Sequence, residues 1–566
     1  MTEIQPLNAG AALIARLKAL GVDYIFANSG TDFPPIIEGL ASAKARGLDV
    51  PRALTIPHEH AAMGMAHGYY LMSGKAQAVM AHTDVGLANC AIGALNAHVE
   101  HVPVLLFSGR TPVTERGRFG SRTVPIGWGQ EMRDQTALVR EACKWDYELR
   151  FPEQAPDLAD RALAIADSTP KGPVYVALPR EVLCEPCPDT ALDAPPRMRA
   201  HGAAPDPAAL ADLAARIAQA QHPVIFAQHG AGNDDGFTAL SRLVSGWGIP
   251  VCQYWANILA LPTDHPMAAP GDPAPLLQRA DLVICLDALA PWMPDAQDAR
   301  PDAVVVQIGP NPLAQRTPIR NFRADLAIAC DTGPAIVALE AALAAHRPTP
   351  QVQARAAQLA TDHAATRTAT LAAAAADSAP GMTKAQVARA LSDALEGQDW
   401  TLLSELGVPM APMRLTHRHA WFQEPHAGGL GWSFPAALGM QLAAPDRLIV
   451  ATMGDGGYMF ANPVACHQIA EALSLPILVI VLNNAEWGAV RQSVLGMYPD
   501  GHAAQANEMP LTGLSPSPDF CLIAQASRAF AARATNAAEF SQALSAALEH
   551  LHHRRNAALI EVTTRR

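Results

Sequence analysis

Short apolar runs, each about one strand long, recur along this chain between segments with helical period. The series opens with "NAGAALIARLKALG" and "VDYIFANSG" and continues through "RALTIPHEH", "AQAVMAHTD" and "VPVLLFSG". Strands separated by helices are joined side by side in parallel, because a parallel neighbour is reached only by a crossover connection. The alternation halts at a proline-rich stretch from Pro186 to Pro207, resumes at "HPVIFAQHG", "IPVCQYW", "ADLVICLD" and "AVVVQIG", and starts a third time at "MTKAQVARALSDAL". A chain of 566 residues is also too long for one hydrophobic core. The reading is therefore α/β, with three domains, each a mainly parallel sheet flanked by helices. Their predicted extents are 1–185, 195–345 and 381–566, with a linker over 346–380. The alanine-rich linker "QVQARAAQLATDHAATRTATLAAAAADSAP" predicts a helix, alanine being the strongest helix former.

Composition removes several function classes. A formal charge of −12 opposes a nucleic-acid partner, since phosphate backbones are held by clustered Lys and Arg. No apolar run approaches the roughly 18–20 residues of a membrane span. The beginning "MTEIQPLNAGAAL" lacks the basic-then-apolar order of a signal peptide, so the expected location is cytoplasmic. Of nine cysteines only Cys184 and Cys187 lie close together, without the two further ligands that a zinc site needs. A nicotinamide-linked dehydrogenase would carry G-x-G-x-x-G, and "GDGGYM", "GGLGWSF" and "GAGNDDG" all break that spacing. A P-loop is missing too.

Two strand ends carry the chemistry. "RLIVATMGDGG" ends an apolar run in Asp455 between Gly454 and Gly456, and "LPILVIVLNN" ends the next in Asn484, with 26 residues between the "GDG" and the "NN". In an open parallel sheet, ligands bind outside the carboxyl ends of the strands. A carboxylate and an amide oxygen at neighbouring ends, with a loop carbonyl such as that of Glu486, suit magnesium, which takes a few protein oxygens and fills its octahedron with phosphate and water. Gly454, Gly456 and Gly457 would then let the backbone pass close to a bulky anion at the start of a helix near Asn462. The plain alternative is a tight turn followed by a helix cap.

With its "GDG" and "NN" at this spacing, the chain resembles the thiamine diphosphate-dependent enzymes of the acetolactate synthase and benzoylformate decarboxylase type. The likeness runs over nearly the whole length and implies pyrimidine-binding, central and diphosphate-binding domains in that order. It implies thiamine diphosphate and Mg as cofactors. "GGLGWSFPAALGMQLA" places Leu430 where the family has the large apolar residue that bends the cofactor, and Gly428 where a carbonyl meets its aminopyrimidine. "TIPHEHAAMGMAHGYY" places Glu59 at the catalytic glutamate, whose carboxyl faces a pyrimidine nitrogen and helps deprotonate the reactive carbon. His58 and His60 flank it and read as structural. His82, in "AVMAHTDVGLAN", falls where benzoylformate decarboxylase has a substrate-contacting histidine and where synthases usually have "GPG".

The substrate is less specified. "FANSGTDFPP" resembles the family's first loop, keeping Gly30 and placing Thr31 among substrate-facing positions, while "GWGQEMRDQ" keeps the synthase-type Gln130 and Glu131. Trp487, Val490, Leu495 and Met497 suggest a lid and an apolar or aromatic substrate side chain. The implied reaction cleaves or forms a C–C bond next to a carbonyl, most simply as a 2-oxo acid decarboxylase or carboligase. Acetolactate synthase proper is an alternative, although "CLDALAPWMPDAQDARPD" has no segment like that of the flavin-using synthases. A lyase on a 2-hydroxyketone or 2-hydroxyacyl-CoA is another, and a non-catalytic relative is disfavoured by the presence of Glu59. The resemblance also implies a homodimer or homotetramer, with Glu59 of one chain facing Asp455 and Leu430 of the next.

Overall fold

The computed structural model describes residues 7–188, 198–375, 377 and 379–565. It contains three parallel sheets. The first comprises β1 (Tyr24–Ala27), β2 (Arg52–Thr55), β3 (Gln77–Ala81), β4 (Val104–Arg110), β5 (Asp146–Glu148) and β6 (Val174–Pro179), in the order β2-β1-β3-β4-β6-β5. The second comprises β7 (Pro223–Ala227), β8 (Val251–Cys252), β9 (Leu282–Leu286), β10 (Val304–Gly309) and β11 (Leu326–Ala329), in the order β11-β10-β9-β7-β8. The third comprises β12 (Trp400–Glu405), β13 (Trp421–Gln423), β14 (Leu448–Gly454), β15 (Ile477–Asn483), β16 (Phe530–Ala534) and β17 (Ala558–Thr563), in the order β13-β12-β14-β15-β17-β16.

The first and third sheets share one topology: counted within each sheet, the order is second, first, third, fourth, sixth, fifth. In both, strand order reverses between the first and third strands, which opens a crevice at their carboxyl ends. Inner strands such as "QAVMA" and "LVICL" are buried throughout, whereas edge strands β2, β5, β11 and β16 are largely open. A strand covered on both faces by helices needs no polar alternation, which explains the continuous apolar runs of the sequence. Edge strand β13 is screened by the central domain, through a bridge between Phe422 and Ile258. The alanine-rich linker is helical from Pro350 to Ala373, capped by the Thr349 side chain. Positions 189–197 of the proline-rich stretch lie outside the described residues.

One apolar core spans the first and third domains. At its centre the helix Glu59–Ser73 crosses the helix Ser433–Ala443 at backbone distance. A Cβ on Gly68 would lie 1.9 Å from the Ala436 carbonyl oxygen, and one on Gly439 would lie 2.0 Å from that of Met65. Glycine is required here for space rather than for dihedral freedom. Gly68→Ala is accordingly expected to lower stability by about 1–3 kcal/mol or more by forcing the helices apart, read as a lower urea midpoint.

Candidate active site

The first half of the site is built on three adjacent strand ends. β2 leads into Glu59, the first residue of its helix, whose N-cap His58 accepts the His60 N–H at 3.2 Å. The Glu59 carboxylate is buried, 6% exposed, and accepts one bond on each oxygen: from the Asn28 side chain after β1 and from the Asn89 side chain, both at 3.0 Å. A Cβ on Gly86 would meet its Oε1 at 2.9 Å, so the helix Thr83–Val99 lies directly against it. β3 leads into His82. Its Nδ1 donates to the buried Asp32 carboxylate, and its Nε2 lies 3.1 Å from the Gln130 side-chain amide. The bond to Asp32 raises the imidazole above its ordinary range, although burial works the other way.

Gly30 has its own reason in this arrangement, since a Cβ there would lie 2.1 Å from His82 Nδ1. Thr31 is exposed, and its carbonyl accepts from Arg180 at 3.0 Å. Glu131 binds Arg110, Thr111 and Arg122, so it braces the wall behind Gln130. Thr83, next to His82, is held at φ 37°, a left-handed value that costs a β-branched residue energy and fixes the turn.

The second half stands on the third sheet. β14 and β15 are paired in register, Gly454 opposite Leu482, so Asp455 and Asn484 follow neighbouring ends. Asp455 is buried, 3% exposed; its Oδ1 accepts the Gly456 N–H at 3.1 Å and its Oδ2 has no protein partner. Burial raises its pKa. An unpartnered buried carboxylate oxygen is costly unless a cation meets it. The Asn484 side-chain oxygen accepts the Glu486 N–H at 3.1 Å, and the Glu486 carbonyl accepts the Gly488 N–H at 2.8 Å. The Glu486 side chain is engaged separately, by Arg491 and Thr512.

The structure changes the account of the glycines. A Cβ on Gly456 would lie 2.2 Å from the Trp487 ring, and one on Gly457 would lie 2.8 Å from the Glu405 carboxylate; around Gly454 the space is open. The first two are needed for close packing within the protein. Trp487 also stands edge-on to Phe460, 5.8 Å between ring centres. The helix near Asn462 is present, Pro463–Leu473, but a short helix, Asp455–Phe460, precedes it.

Leu430 is half-buried on a loop fixed from both sides. Gly428 is exposed at φ 69°, and Gly429 exchanges two hydrogen bonds with the Asn96 side chain, at 2.9 and 3.2 Å. Glu405, at the end of β12, accepts the N–H groups of Gly431 and Ser433 at 2.6 and 2.7 Å, serving the helix Ser433–Ala443 as a cap supplied from another strand. Its burial raises its pKa. His60 Nε2 lies 3.1 Å from the Gly431 carbonyl, and the His58 ring meets the Asn462 side chain at 3.5 Å, so both histidines join the two domains. Asn28, Asp32, Asn89 and Glu405 are functional-site residues that the sequence reading left out. Among the described residues no hydrogen bond joins Glu59 to Asp455, Asn484 or Leu430 within this chain.

Three family descriptions match in order: thiamine pyrophosphate enzyme, N-terminal TPP binding domain, over residues 7–138; central domain, over 210–339; and C-terminal TPP binding domain, over 408–562. The chain belongs to the thiamine pyrophosphate enzymes. It is similar to a Pseudomonas aeruginosa protein named "Probable 2-ketoarginine decarboxylase AruI", 28% identical, covering 92% of this chain and 88% of the relative. It is also similar to benzoylformate decarboxylase of the same species, 27% identical over 97% of both chains. An acetolactate synthase of Mycobacterium bovis is 26% identical over 86% of this chain and 78% of its own. In fold it matches the thiamine diphosphate-dependent 4-hydroxybenzoylformate decarboxylase of Rhodococcus jostii RHA1, with a TM-score of 0.79 and 22% identity, over 98% and 99% of the two chains. The chain is thus an enzyme of the acetolactate synthase and decarboxylase group that uses thiamine diphosphate.

The Asp32–His82 pair makes a pH dependence testable. A raised histidine pKa contributes stability that is present below the ordinary value of 6.5 and fades as pH rises through the raised value. In Asp32→Asn the histidine loses its anionic partner, so the limb of the kcat/KM profile that reports His82 is expected to move to lower pH by roughly one unit or more. A pH–rate profile of the two proteins checks this.

Proposed function

We propose that this enzyme is a magnesium-dependent 2-oxo acid decarboxylase or carboligase. The observation that carries the reading is the convergence on three adjacent strand ends of Glu59 and an Asp32-supported His82. Thiamine diphosphate, when bound, supplies a nucleophilic carbon and an electron sink for breaking a bond next to a carbonyl. Asp455, Asn484 and the Glu486 carbonyl would hold the magnesium that carries its diphosphate, as the unpartnered Asp455 oxygen suggests. Leu430 and the Gly428 carbonyl would orient the rings.

The chain's own residues then have separable tasks. Glu59 would face a pyrimidine nitrogen of the cofactor through its carboxyl group, whose orientation Asn28 and Asn89 fix. His82, whose basicity the Asp32 carboxylate raises, is placed to exchange a proton at Nε2 with oxygen or carbon of the reacting substrate. Gly30 and Thr31 line the approach. Trp487 begins the helix Gly488–Met497, none of whose residues is buried, and Val490 and Met497 are exposed. That helix is suited to closing over an apolar or aromatic substrate group.

We further infer a homodimer or homotetramer in which Glu59 of one chain faces the diphosphate-binding domain of another. Val85, Ile92 and Leu95 share one face of the helix Thr83–Val99 and are exposed, as are Phe460 and Val464 of the third domain. This apolar surface suits burial against a second copy.

The reading is tested by incubating the protein with thiamine diphosphate, Mg2+ and a panel of aliphatic and aromatic 2-oxo acids while following carbon dioxide and the organic product. Carbon dioxide with an aldehyde marks a decarboxylase, and a hydroxyketone marks carboligation; no turnover of any 2-oxo acid would refute the proposal. Glu59→Gln is expected to lower kcat by about 10²–10⁴-fold, and Asp455→Asn to raise the Mg2+ concentration needed for half-maximal activity.

A further inference from the structure

Glu100, His229 and His426 meet where the three domains join, away from the strand ends described above. Glu100 ends the helix Thr83–Val99 of the first domain, His229 follows β7 of the second, and His426 opens the loop that carries Gly428 and Leu430. One ligating atom from each lies within 4.8 Å of those of the other two.

The two imidazoles are oriented alike. His229 Nδ1 donates to the Asp287 carbonyl at 2.9 Å, which leaves Nε2 only 3.1 Å from a Glu100 oxygen but without hydrogen-bond geometry to it. His426 Nε2 donates to the Trp255 carbonyl at 2.9 Å, which leaves its buried Nδ1 without a partner. In each ring one nitrogen is pinned to a backbone carbonyl and the other presents a lone pair, the arrangement that metal-ligating histidines characteristically show.

We propose that Glu100, His229 and His426 form a structural site for one divalent ion of the zinc class. Two imidazole nitrogens and one carboxylate oxygen are donors of the hardness that zinc accepts, and solvent completes a tetrahedron. Bonds of about 2.0–2.2 Å place the donors roughly 3.4 Å apart, so side-chain shifts of about 1 Å close the site.

The local field favours a cation. Burial would raise the Glu100 carboxyl, but the facing His229 and the His426 backbone N–H outweigh it and hold it at about 2. Asp287 adds a second carboxylate, 3.5 Å from His229 Nδ1, itself held by Thr332 at 3.0 Å. His101 and His426 pack against the His229 ring, and burial keeps both neutral. Because Glu100 also accepts the His426 N–H at 2.9 Å, the ion would anchor the cofactor loop to the first domain from both ends of one residue.

The test uses the full untagged chain, stripped of cofactor and of divalent ions and titrated with Co2+ alone or Zn2+ alone. One equivalent of Co2+ is expected to bind with a visible d–d absorption band, and Zn2+ to displace it. His426→Asn and Glu100→Gln are each expected to weaken binding by roughly 100-fold or more, whereas Asp455→Asn retains the site. Far-UV circular dichroism establishes that each variant is folded. Natively folded wild-type protein that takes up no stoichiometric ion overturns the proposal. So does equal affinity in the folded variants. If both variants fail to fold, the ion stoichiometry of the wild type and of Asp455→Asn decides.

Discussion

The structure turns on one contact, the passage of the helix Glu59–Ser73 across the helix Ser433–Ala443 at glycine distance. Each helix begins at a chemically important place. The first starts with Glu59, and the second starts just after the loop bearing Leu430. Backbone packing leaves little freedom of translation, because neighbouring carbonyl oxygens occupy the volume that a methyl group would need. The orientation of the pyrimidine-binding half relative to the diphosphate-binding half is therefore set in the core, and His58, His60 and Asn96 add polar pins along the same seam.

Buried carboxylates recur along this seam, each with a different answer to desolvation. Glu405 is satisfied by two backbone N–H groups, Glu59 by two side-chain amides and Asp32 by a histidine, whereas one Asp455 oxygen lacks a hydrogen-bond partner among the described residues. Three of these are complete within the chain. The fourth sits where the sheet topology opens its crevice, which is why it carries the proposed magnesium.

The parallel sheets were legible because both-face burial turns inner strands into uninterrupted apolar runs, and Asp455 and Asn484 were legible because polar residues end two of those runs. Glu59 and His82 needed the likeness to a family to stand out from ordinary helix starts. Asp32, Asn28, Asn89 and Glu405 were not legible at all. Their partners lie dozens of residues away, and a carboxylate that caps a distant helix has no local pattern. Gly456 has a further reason that the sequence could not show, since the Trp487 ring that excludes a side chain there arrives from another loop.

The helix Gly488–Met497 draws almost nothing from the rest of the molecule, for no side chain along it is buried. A segment with so little invested in the fold is free to vary without endangering it, and such segments sit at the low end of local stability. If this helix closes over the substrate as proposed, changes along its ten residues would alter what the site accepts and leave the cofactor-binding loops alone. Diversification of the chemistry and preservation of the scaffold are, in this architecture, assigned to different parts of one chain.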